Sequence, residues 1–393
     1  MAGEDTNGST SDGAVLTVNA GSSSLQLIYV EGDAVTARLH QHDEPGTPSA
    51  ARAVREFVSG RPTPRAVGHR LVHGGTLVRR PTVLDAAIRR GLDEIAELAP
   101  LHLPPALRLL DQLVEQLPDV PHVLCPDTAF HADLPEVAAT FPLPEAWRRR
   151  WGLRRYGFHG ISYASASRRA AHLLGRPVEQ LQLVLAHLGG GSSVCAVRAG
   201  RSVDTSMGFT PLDGVPMTKR SGAVDPGLLL WLLDGGRLTR EELAHGLNHR
   251  SGLFGLSNGR SNDTRELVAA APGDPAAALA LDVFCHRVRR EIAATATSLD
   301  RLDGLVFTGE IGWDQPEVRR DVCAGLGLLG VEVPWFGHPE HDQVISADGA
   351  AVPVLVVEPR EELEIAQEVA AALAVPGPTG VMENTNVPEG ITS

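Results

Sequence analysis

Apolar runs separated by short Gly/Ser turns occur twice in this chain, in segments far apart in the sequence. Residues 15–28 consist of an apolar run, a polar turn at 19–24 and a second apolar run. Residues 183–197 repeat this arrangement around a turn at 187–193. Each segment predicts two strands joined as a hairpin, and the glycine-rich tip exposes backbone N–H groups. The repetition indicates a duplicated fold with a cleft between its halves.

Both hairpin tips suit a phosphate chain, since phosphate oxygens accept hydrogen bonds from backbone N–H groups. Ordinary tight hairpins are the alternative, because glycine occurs in turns of every kind. Neither tip has the Gly-Lys-Ser/Thr sequence that opens a helix in a P-loop.

The remaining hydrophobic pattern alternates between strands and helices, which predicts an α/β fold. Further strands are predicted at 66–75, 122–125, 304–307 and 352–357, and helices at 85–98, 106–117, 226–234, 276–299, from Pro316 onward and at 361–374. We expect the last helix to cross back to the first half, so that the chain starts and finishes in one lobe.

Length and charge narrow the class of protein. A chain of 393 residues fits two domains, each with its own core. The formal charge of −13 argues against a nucleic-acid partner, so an anionic substrate needs a local basic cluster. No apolar stretch approaches the ~20 residues of a membrane span, and we expect no membrane partner.

The termini and the cysteines point to a cytoplasmic protein. Residues 1–13 are polar and acidic, unlike a signal peptide, and are predicted to be a disordered tail, as are residues 376–393. The four cysteines have no metal-site or disulfide spacing and are typical of reduced thiols; they are Cys125, Cys195, Cys285 and Cys323.

Several charged residues and histidines are candidates for binding or catalysis. Arg70 and Arg220 follow apolar or glycine-rich runs, where a guanidinium group can bind a carboxylate or phosphate bidentately. A solvated loop position is the alternative for either one. His102 and His159 lie in short turns, where a structural role is the alternative.

Acidic residues at element ends offer metal ligands. Asp127 follows a predicted strand and either ligates Mg²⁺ or caps the next turn. Glu361 and Glu362 open a helix, where the helix dipole alone explains two acids.

Taken together, these motifs resemble the acetate kinase family over roughly residues 14–375. The matching blocks are NAGSSS at 19–24, GHRLVHGG at 68–75, LAPLH at 98–102, DTAFH at 127–131, YGFHG at 156–160, TSMGFTPL at 205–212 and EEL at 361–363.

The resemblance implies a fold, ligands and an assembly. It implies two duplicated ribonuclease-H-like lobes of the actin-like ATPase type, Mg²⁺-ATP in the cleft, and a homodimer. Lobe I is expected at 14–130 plus 362–375, and the nucleotide-binding lobe II at 131–361.

The family also implies roles for the basic candidates. Arg70 and Arg220 would hold the acetate carboxylate and the transferring phosphoryl group, His159 would donate to that group, and His102 would support the site. Such roles suit phosphoryl transfer, which needs mainly positioning and cationic stabilisation. An ionised carboxylate nucleophile requires no general base.

Metal and phosphate ligands follow from the same resemblance. Asn19, Asp127 and Glu361 would arrange Mg²⁺ or Mn²⁺. The residues implied at the phosphates or the nucleotide are Ser22, Ser24, His187, Gly189, Gly190, Gly191, Thr308, Gly309, Glu310, Ile311 and Gly312. The acyl pocket would consist of the apolar residues Val72, Leu101, Phe158 and Pro211, with propionate as a weaker substrate because one methylene is worth only ~1–3 kcal/mol.

Departures from the family pattern concentrate on the nucleotide side. Gly190 stands where the family usually has Asn, Glu310 replaces a glycine, and Trp313 follows in the same loop. These changes could favour another nucleotide or a smaller donor such as pyrophosphate. Gln26 replaces the usual Lys and Tyr163 the usual His; we expect both to matter less.

The sequence therefore predicts an acetate kinase, which reversibly transfers the γ-phosphoryl group of ATP to acetate. A kinase for propionate or butyrate is one alternative. Another class is a nucleotide-dependent switch like actin or Hsp70, or a sensor degenerated from the kinase. Arg70, Arg220 and His159 argue against a switch, which needs no site for an acyl acid.

Overall fold

The structure is a computed structural model that describes residues 13–20, 25–41, 47–100 and 102–375. The predicted tails at 1–13 and 376–393, apart from Gly13, lie outside the described residues, and so do Ser22, Ser24 and Leu101.

The first sheet has six strands, three of which form an antiparallel meander. Its strands are β1 (Val15–Ala20), β2 (Leu25–Glu31), β3 (Ala34–Gln41), β4 (Ala66–Leu71), β5 (Thr82–Val83) and β6 (His122–Pro126), in the spatial order β3-β2-β1-β4-β6-β5. β1, β4 and β6 are parallel to one another, and β5 is antiparallel to β6.

The second sheet repeats this plan strand for strand. Its strands are β7 (Gln182–Leu188), β8 (Ser192–Arg198), β9 (Arg201–Thr205), β10 (Gly304–Thr308), β11 (Gln343–Val344) and β12 (Val354–Val356), in the order β11-β12-β10-β7-β8-β9. β7 to β9 are antiparallel, β7, β10 and β12 are parallel, and β11 is antiparallel to β12. The predicted duplication is confirmed.

Helices flank both sheets. They are α1 (Pro48–Ser59), α2 (Ala86–Ile95), α3 (Leu103–Gln116), α4 (Glu136–Ala139), α5 (Glu145–Trp151), α6 (Gly160–Leu173), α7 (Pro226–Leu233), α8 (Arg240–His249), α9 (Gly252–Leu256), α10 (Thr264–Ala270), α11 (Pro275–Ala296), α12 (Gly309–Asp314), α13 (Pro316–Cys323) and α14 (Glu361–Ala374). In the described part of the chain, no helix is long and apolar enough to cross a membrane.

Most predicted helices are confirmed, with shifted ends. α3 begins three residues before the predicted 106, because Pro104 and Pro105 fit the first turn of a helix, whose N–H groups need no intrahelical partner. α11 ends at Ala296 rather than 299, and β12 is shorter than the predicted 352–357.

α14 returns the chain to the first sheet, as predicted. It packs against β1, β2, β4 and β6, and also against α6. Gly68 permits the close approach, since a Cβ there would lie 2.6 Å from Cγ2 of Ile365. The return places the start of α14 beside the carboxyl ends of the parallel strands, where ligand sites of α/β proteins lie.

Candidate active site

A charged cluster lies at the carboxyl ends of the first sheet. Arg70 near the end of β4 makes two bonds to Asp127, which directly follows β6, with Nε 3.1 Å from Oδ1 and Nη2 2.5 Å from Oδ2. Its Nη1 donates to Oδ1 of Asn19 at 2.8 Å. Oε2 of Glu361, the first residue of α14, is 3.7 Å from Arg70 Nε and 3.4 Å from Asn19 Nδ2. The three predicted metal ligands therefore surround one arginine.

Burial sets the electrostatics of this cluster. Burial alone would lower the pKa of Arg70, but Asp127 and Glu361 reverse the effect and raise it, so the guanidinium stays charged. Burial raises the pKa of Asp127, and Arg70 opposes that rise. Ionisation of Asp127 thus depends on a cation beside it.

Local glycines fix His159 above this cluster. His159 precedes α6 with a φ of 59°, an uncommon conformation for a non-glycine residue. Gly157 also has a positive φ, of 73°, and a Cβ there would lie 2.5 Å from Cγ of His131. Gly160 donates its N–H to the Asp127 carbonyl at 2.9 Å, where a Cβ would come within 2.2 Å. The Tyr-Gly-Phe-His-Gly motif therefore ties His159 to Asp127.

His159 also contacts the second hairpin. Its Nδ1 lies 2.8 Å from Oγ of Ser193, and its ring stacks on His187 with centroids 4.2 Å apart. A Cβ on Gly191 would lie 2.9 Å from His159 Nε2 and 3.8 Å from Nη1 of Arg220. Burial, followed by His187 and the two arginines, lowers the pKa of His159 well below its usual value. His159 is thus a neutral imidazole whose Nε2 meets the hairpin tip.

Arg220 completes the basic side of the site. Its Nη1 donates to the Pro211 carbonyl at 3.3 Å, and its Nη2 is 3.5 Å from Nε2 of His102. Burial, with Arg220 and Arg70 nearby, lowers the pKa of His102 to about 4, so His102 is neutral. Burial also lowers the pKa of Arg220. No carboxylate among the described residues pairs with Arg220, in contrast to Arg70.

A cleft of about 900 Å³ separates the two sheets. Gly189, Gly190, Gly309 and Glu310 line it on one side, and Asn19 and Glu361 are among its residues on the other. Gly309 has a φ of 79°, and a Cβ there would lie 2.4 Å from the Leu188 carbonyl oxygen, so only glycine fits. The two predicted nucleotide segments thus touch each other.

Three predicted nucleotide residues turn away from that cleft. Thr308 is buried, and its hydroxyl has no hydrogen-bond partner among the described residues. Ile311 packs into the core of the second sheet and also lines a smaller cavity that adjoins the cleft. Gly312 is buried, and its carbonyl accepts a hydrogen bond from Arg319 at 2.9 Å. These residues support the turn that follows β10 and do not line the main cleft.

A second cavity of about 420 Å³ adjoins the cleft through Gly190 and Glu310. Asn262, Asp263, Thr264 and Arg265 line it, and the sequence analysis missed this segment. Nη2 of Arg265 donates to Asp263 at 2.8 Å. Asp263 also caps α10, and that helix start was the one signal available in the sequence. Exposed Glu310 therefore faces two connected spaces.

Part of the predicted acyl pocket lies in one apolar cluster. Val72 and Phe158 are buried in the core of the first sheet together with Met207 and Met217, which the sequence analysis missed. The Met217 sulfur is 3.9 Å from Arg220 Nη1. Pro211 contributes its carbonyl to Arg220, and Leu101 lies outside the described residues.

The model of the acetokinase family matches residues 56–367. The chain belongs to this family.

Similar proteins carry consistent names. A relative named acetate kinase from Synechococcus sp. (strain JA-2-3B'a(2-13)) is 47% identical over 304 residues, which cover 76% of this chain and 74% of the relative. An acetate kinase from Deinococcus deserti is 42% identical over 369 residues, 93% of this chain and 90% of the relative.

Solved structures of an acetate kinase and a propionate kinase share the fold described above. The crystal structure of Porphyromonas gingivalis acetate kinase has a TM-score of 0.84 at 30% identity and covers 92% of this chain and 100% of that chain. A propionate kinase from Francisella tularensis has a TM-score of 0.82 at 31% identity, and the match covers 91% of this chain and 98% of that chain. The predicted two-lobe, actin-like ATPase fold is confirmed.

Proposed function

We propose that this protein is an acetate kinase, which reversibly transfers the γ-phosphoryl group of ATP to acetate to give acetyl phosphate and ADP. One observation carries the proposal: His159 Nε2 and Arg220 meet at Gly191, in the hairpin whose Gly189 and Gly190 line the cleft, and Arg70 is near enough to help lower the pKa of His159. The relatives named acetate kinase support it.

In the proposed reaction, the site residues position the two substrates and stabilise the negative charge of the transferring phosphoryl group. The acetate carboxylate is ionised at neutral pH and attacks phosphorus without a general base. Arg220, which has no carboxylate partner among the described residues, is free to bind the equatorial oxygens of the transferring group. His159 donates from Nε2 to the same group. Arg70 is already paired with Asp127. For Arg70 to bind acetate as well, the charged cluster around it must rearrange when the substrate enters.

The acidic cluster suits a hard divalent cation. Within the described segments, no group of three or more His, Cys, Asp or Glu side chains could hold a metal. Mg²⁺ commonly binds through one or two carboxylates together with substrate phosphates and water. Asp127 and Glu361, with the Asn19 amide oxygen, supply that donor set for Mg²⁺ or Mn²⁺. When bound, the ion would neutralise phosphate charge.

The phosphoryl donor is proposed to lie along the second sheet. Gly189, Gly190 and Gly191 would contact the phosphates, with Thr308, Gly309, Ile311 and Gly312 shaping the loop beneath the nucleotide. Glu310 lies between the two cavities and would face the nucleoside. We propose ATP as the donor, with selectivity weakened by that carboxylate.

Substrate choice is proposed to rest on the apolar cluster. Val72 and Phe158 are bulky members of the apolar cluster that includes Met217, whose sulfur contacts Arg220, and their bulk favours acetate. The propionate kinase of similar structure supports propionate as the second candidate, since one methylene changes binding by only ~1–3 kcal/mol.

Two lobes and a homodimer complete the proposal. Lobe I would comprise 14–130 plus 362–375, and lobe II 131–361, since each range holds one complete sheet. α7 exposes a row of large apolar side chains, with Leu230 64% and Trp231 54% exposed, and these would be covered by a second copy. Trp231→Glu should yield monomers in sedimentation analysis, whereas Trp147→Glu, at an equally exposed tryptophan, should not. The four cysteines are free and buried, which suits the cytoplasm.

A hydroxamate assay tests the proposed activity. Acetate, propionate and butyrate are each combined with ATP, GTP and pyrophosphate in the presence of Mg²⁺. We expect the highest kcat/KM for acetate with ATP. Arg90→Ala, which removes an exposed arginine on α2, serves as the control for Arg220→Ala. If no acyl hydroxamate formed with any of the three acids, the proposal would be contradicted.

A further inference from the structure

A chain of three hydrogen-bonding groups runs from the core to the proposed catalytic histidine. The Tyr163 side chain, one helical turn after His159, is fully buried. Its hydroxyl lies 2.5 Å from Oγ of Ser193 on β8, and the same Oγ lies 2.8 Å from Nδ1 of His159. Ser193 Oγ therefore joins the phenol to the imidazole.

The direction of these bonds follows from counting protons. Among the described residues, Ser193 Oγ is the one side-chain partner of the Tyr163 hydroxyl. A buried phenol proton needs an acceptor, so Tyr163 donates to Ser193. The single Ser193 proton is then left for His159 Nδ1. Since a neutral imidazole has one donor and one acceptor nitrogen, the ring proton stays on Nε2.

The neighbouring histidine has the same arrangement. Oγ of Ser162 lies 2.8 Å from Nδ1 of His187, which stacks on His159. A Cβ on Gly189 would lie 3.9 Å from His187 Nε2, just as Gly191 borders His159 Nε2. In both rings a serine hydroxyl occupies Nδ1, while Nε2 faces the glycine hairpin.

We propose that Tyr163 is a positioning residue that acts through Ser193 to keep the proton of neutral His159 on Nε2. His159 thereby presents an N–H donor to the hairpin tip at 189–191. The consequence for phosphoryl transfer rests on the proposed function, but the tautomer itself does not.

Nitrogen-15 NMR of histidine-labelled protein tests the tautomer directly. The two ring nitrogens have different shifts when protonated and unprotonated, and the His159 signals are identified by their loss in His159→Gln. We expect Nε2–H in the wild type. In Tyr163→Phe we expect a measurable population of the Nδ1–H tautomer, because the Ser193 hydroxyl is no longer held by the phenol and can rotate away from His159 Nδ1, which leaves that nitrogen without a donor.

Kinetics and matched variants complete the experiment. Tyr163→Phe and Ser193→Ala should each lower kcat about tenfold with KM values within about twofold, and the double variant should lose no more than either one. Ser193→Thr retains the hydroxyl, so it should keep the wild-type tautomer and kcat that Ser193→Ala loses. Tyr29→Phe, which removes a buried phenol from the core of the first sheet, should change neither.

Each result decides the proposal. An Nδ1–H tautomer in the wild type, or an unchanged tautomer in Tyr163→Phe, would overturn it. If Tyr163→Phe failed to fold, the comparison of Ser193→Ala with Ser193→Thr would give the same decision. A wild-type protein that lacked acetate kinase activity but showed the expected tautomers would refute the proposed function alone.

Discussion

The two sheets have one strand order but present different chemistry to the cleft. In the first sheet, Asn19 is in register with Arg70 on the neighbouring parallel strand. At the equivalent positions of the second sheet, His187 is in register with Thr308. The first edge therefore carries an amide and a charged guanidinium, whereas the second carries a neutral imidazole and a buried hydroxyl.

This difference indicates how a duplicated fold divides its work. The first edge, with Asp127 and Glu361 around Arg70, suits a cation and small anions. The second edge, with Gly189 to Gly191 and Gly309, offers mainly backbone groups and space. Duplication fixed the positions of the strand ends, and the residues at those ends decide which part of the reaction each lobe serves.

Substitutions at Arg70 and at Thr308, its counterpart in the second sheet, should differ most in their effects on activity and stability. Arg70→Ala should lower kcat about 10³-fold because a fixed cation is lost. It should also destabilise the fold by about 3–5 kcal/mol, since Asp127 is left buried without its partner. Thr308→Val should leave both nearly unchanged. Steady-state kinetics and urea unfolding measure the effects, and wild-type turnover in Arg70→Ala would refute the assigned role.

Removing the acidic ligand should have the next largest effect. Asp127→Asn should lower kcat at least a hundredfold, and excess chelator should abolish wild-type activity until Mg²⁺ or Mn²⁺ is added. The substitution removes the negative charge that would hold the ion, a charge that Arg70 balances in this structure. Asp133→Asn, at an exposed acid, is the control. If the wild type stayed active in the presence of excess chelator, the proposed need for a metal ion would be wrong.

Val72→Ala should change the choice of acid. The variant removes two methyl carbons and makes room for about one methylene, so the ratio of kcat/KM for propionate to that for acetate should rise about tenfold. Val78→Ala, at a buried valine of the same apolar cluster, controls for lost stability. An equal change in both variants, or an unchanged ratio, would show that the acyl group binds elsewhere.

The smallest expected effects concern the glycine-rich edge. Glu310→Gly should tighten ATP binding about threefold by removing a negative charge near the nucleotide. Gly190→Asn should act in the same direction by adding a donor, because a Cβ there would meet no atom of the described residues within 4 Å. Titration calorimetry with ATP, GTP and pyrophosphate measures both. Gly273→Asn, at a similarly open glycine, should have no effect.

The sequence predicted the architecture better than the contacts within the site. Hairpin repetition and strand–helix alternation depend on local periodicity, so the duplication and α14 could be predicted. The pairing of Arg70 with Asp127 depends on how two parallel strands end side by side, which no spacing reveals.

Side chains inside regular elements were the hardest to predict. Tyr163 occupies an ordinary core position of α6, and Ser193 lies in an apolar strand, so neither stood out. Their contact arises only when α6 packs against β7 and its hairpin partner β8. That the Tyr163 replacement matters less than the changes on the nucleotide side stays a prediction, and the short bond from its hydroxyl to Ser193 is a contact that the sequence did not indicate.

A single-turnover experiment tests phosphoryl transfer to acetate, the central claim, most directly. ATP labelled in the γ-phosphoryl group is bound to excess protein with Mg²⁺, acetate is added, and labelled acetyl phosphate is followed in the wild type and in Arg220→Ala. We expect both proteins to bind the nucleotide with similar affinity and Arg220→Ala to transfer the label about 10³-fold more slowly. Label that stayed on ATP or passed to water in the wild type, or equal transfer rates in the two proteins, would contradict the account.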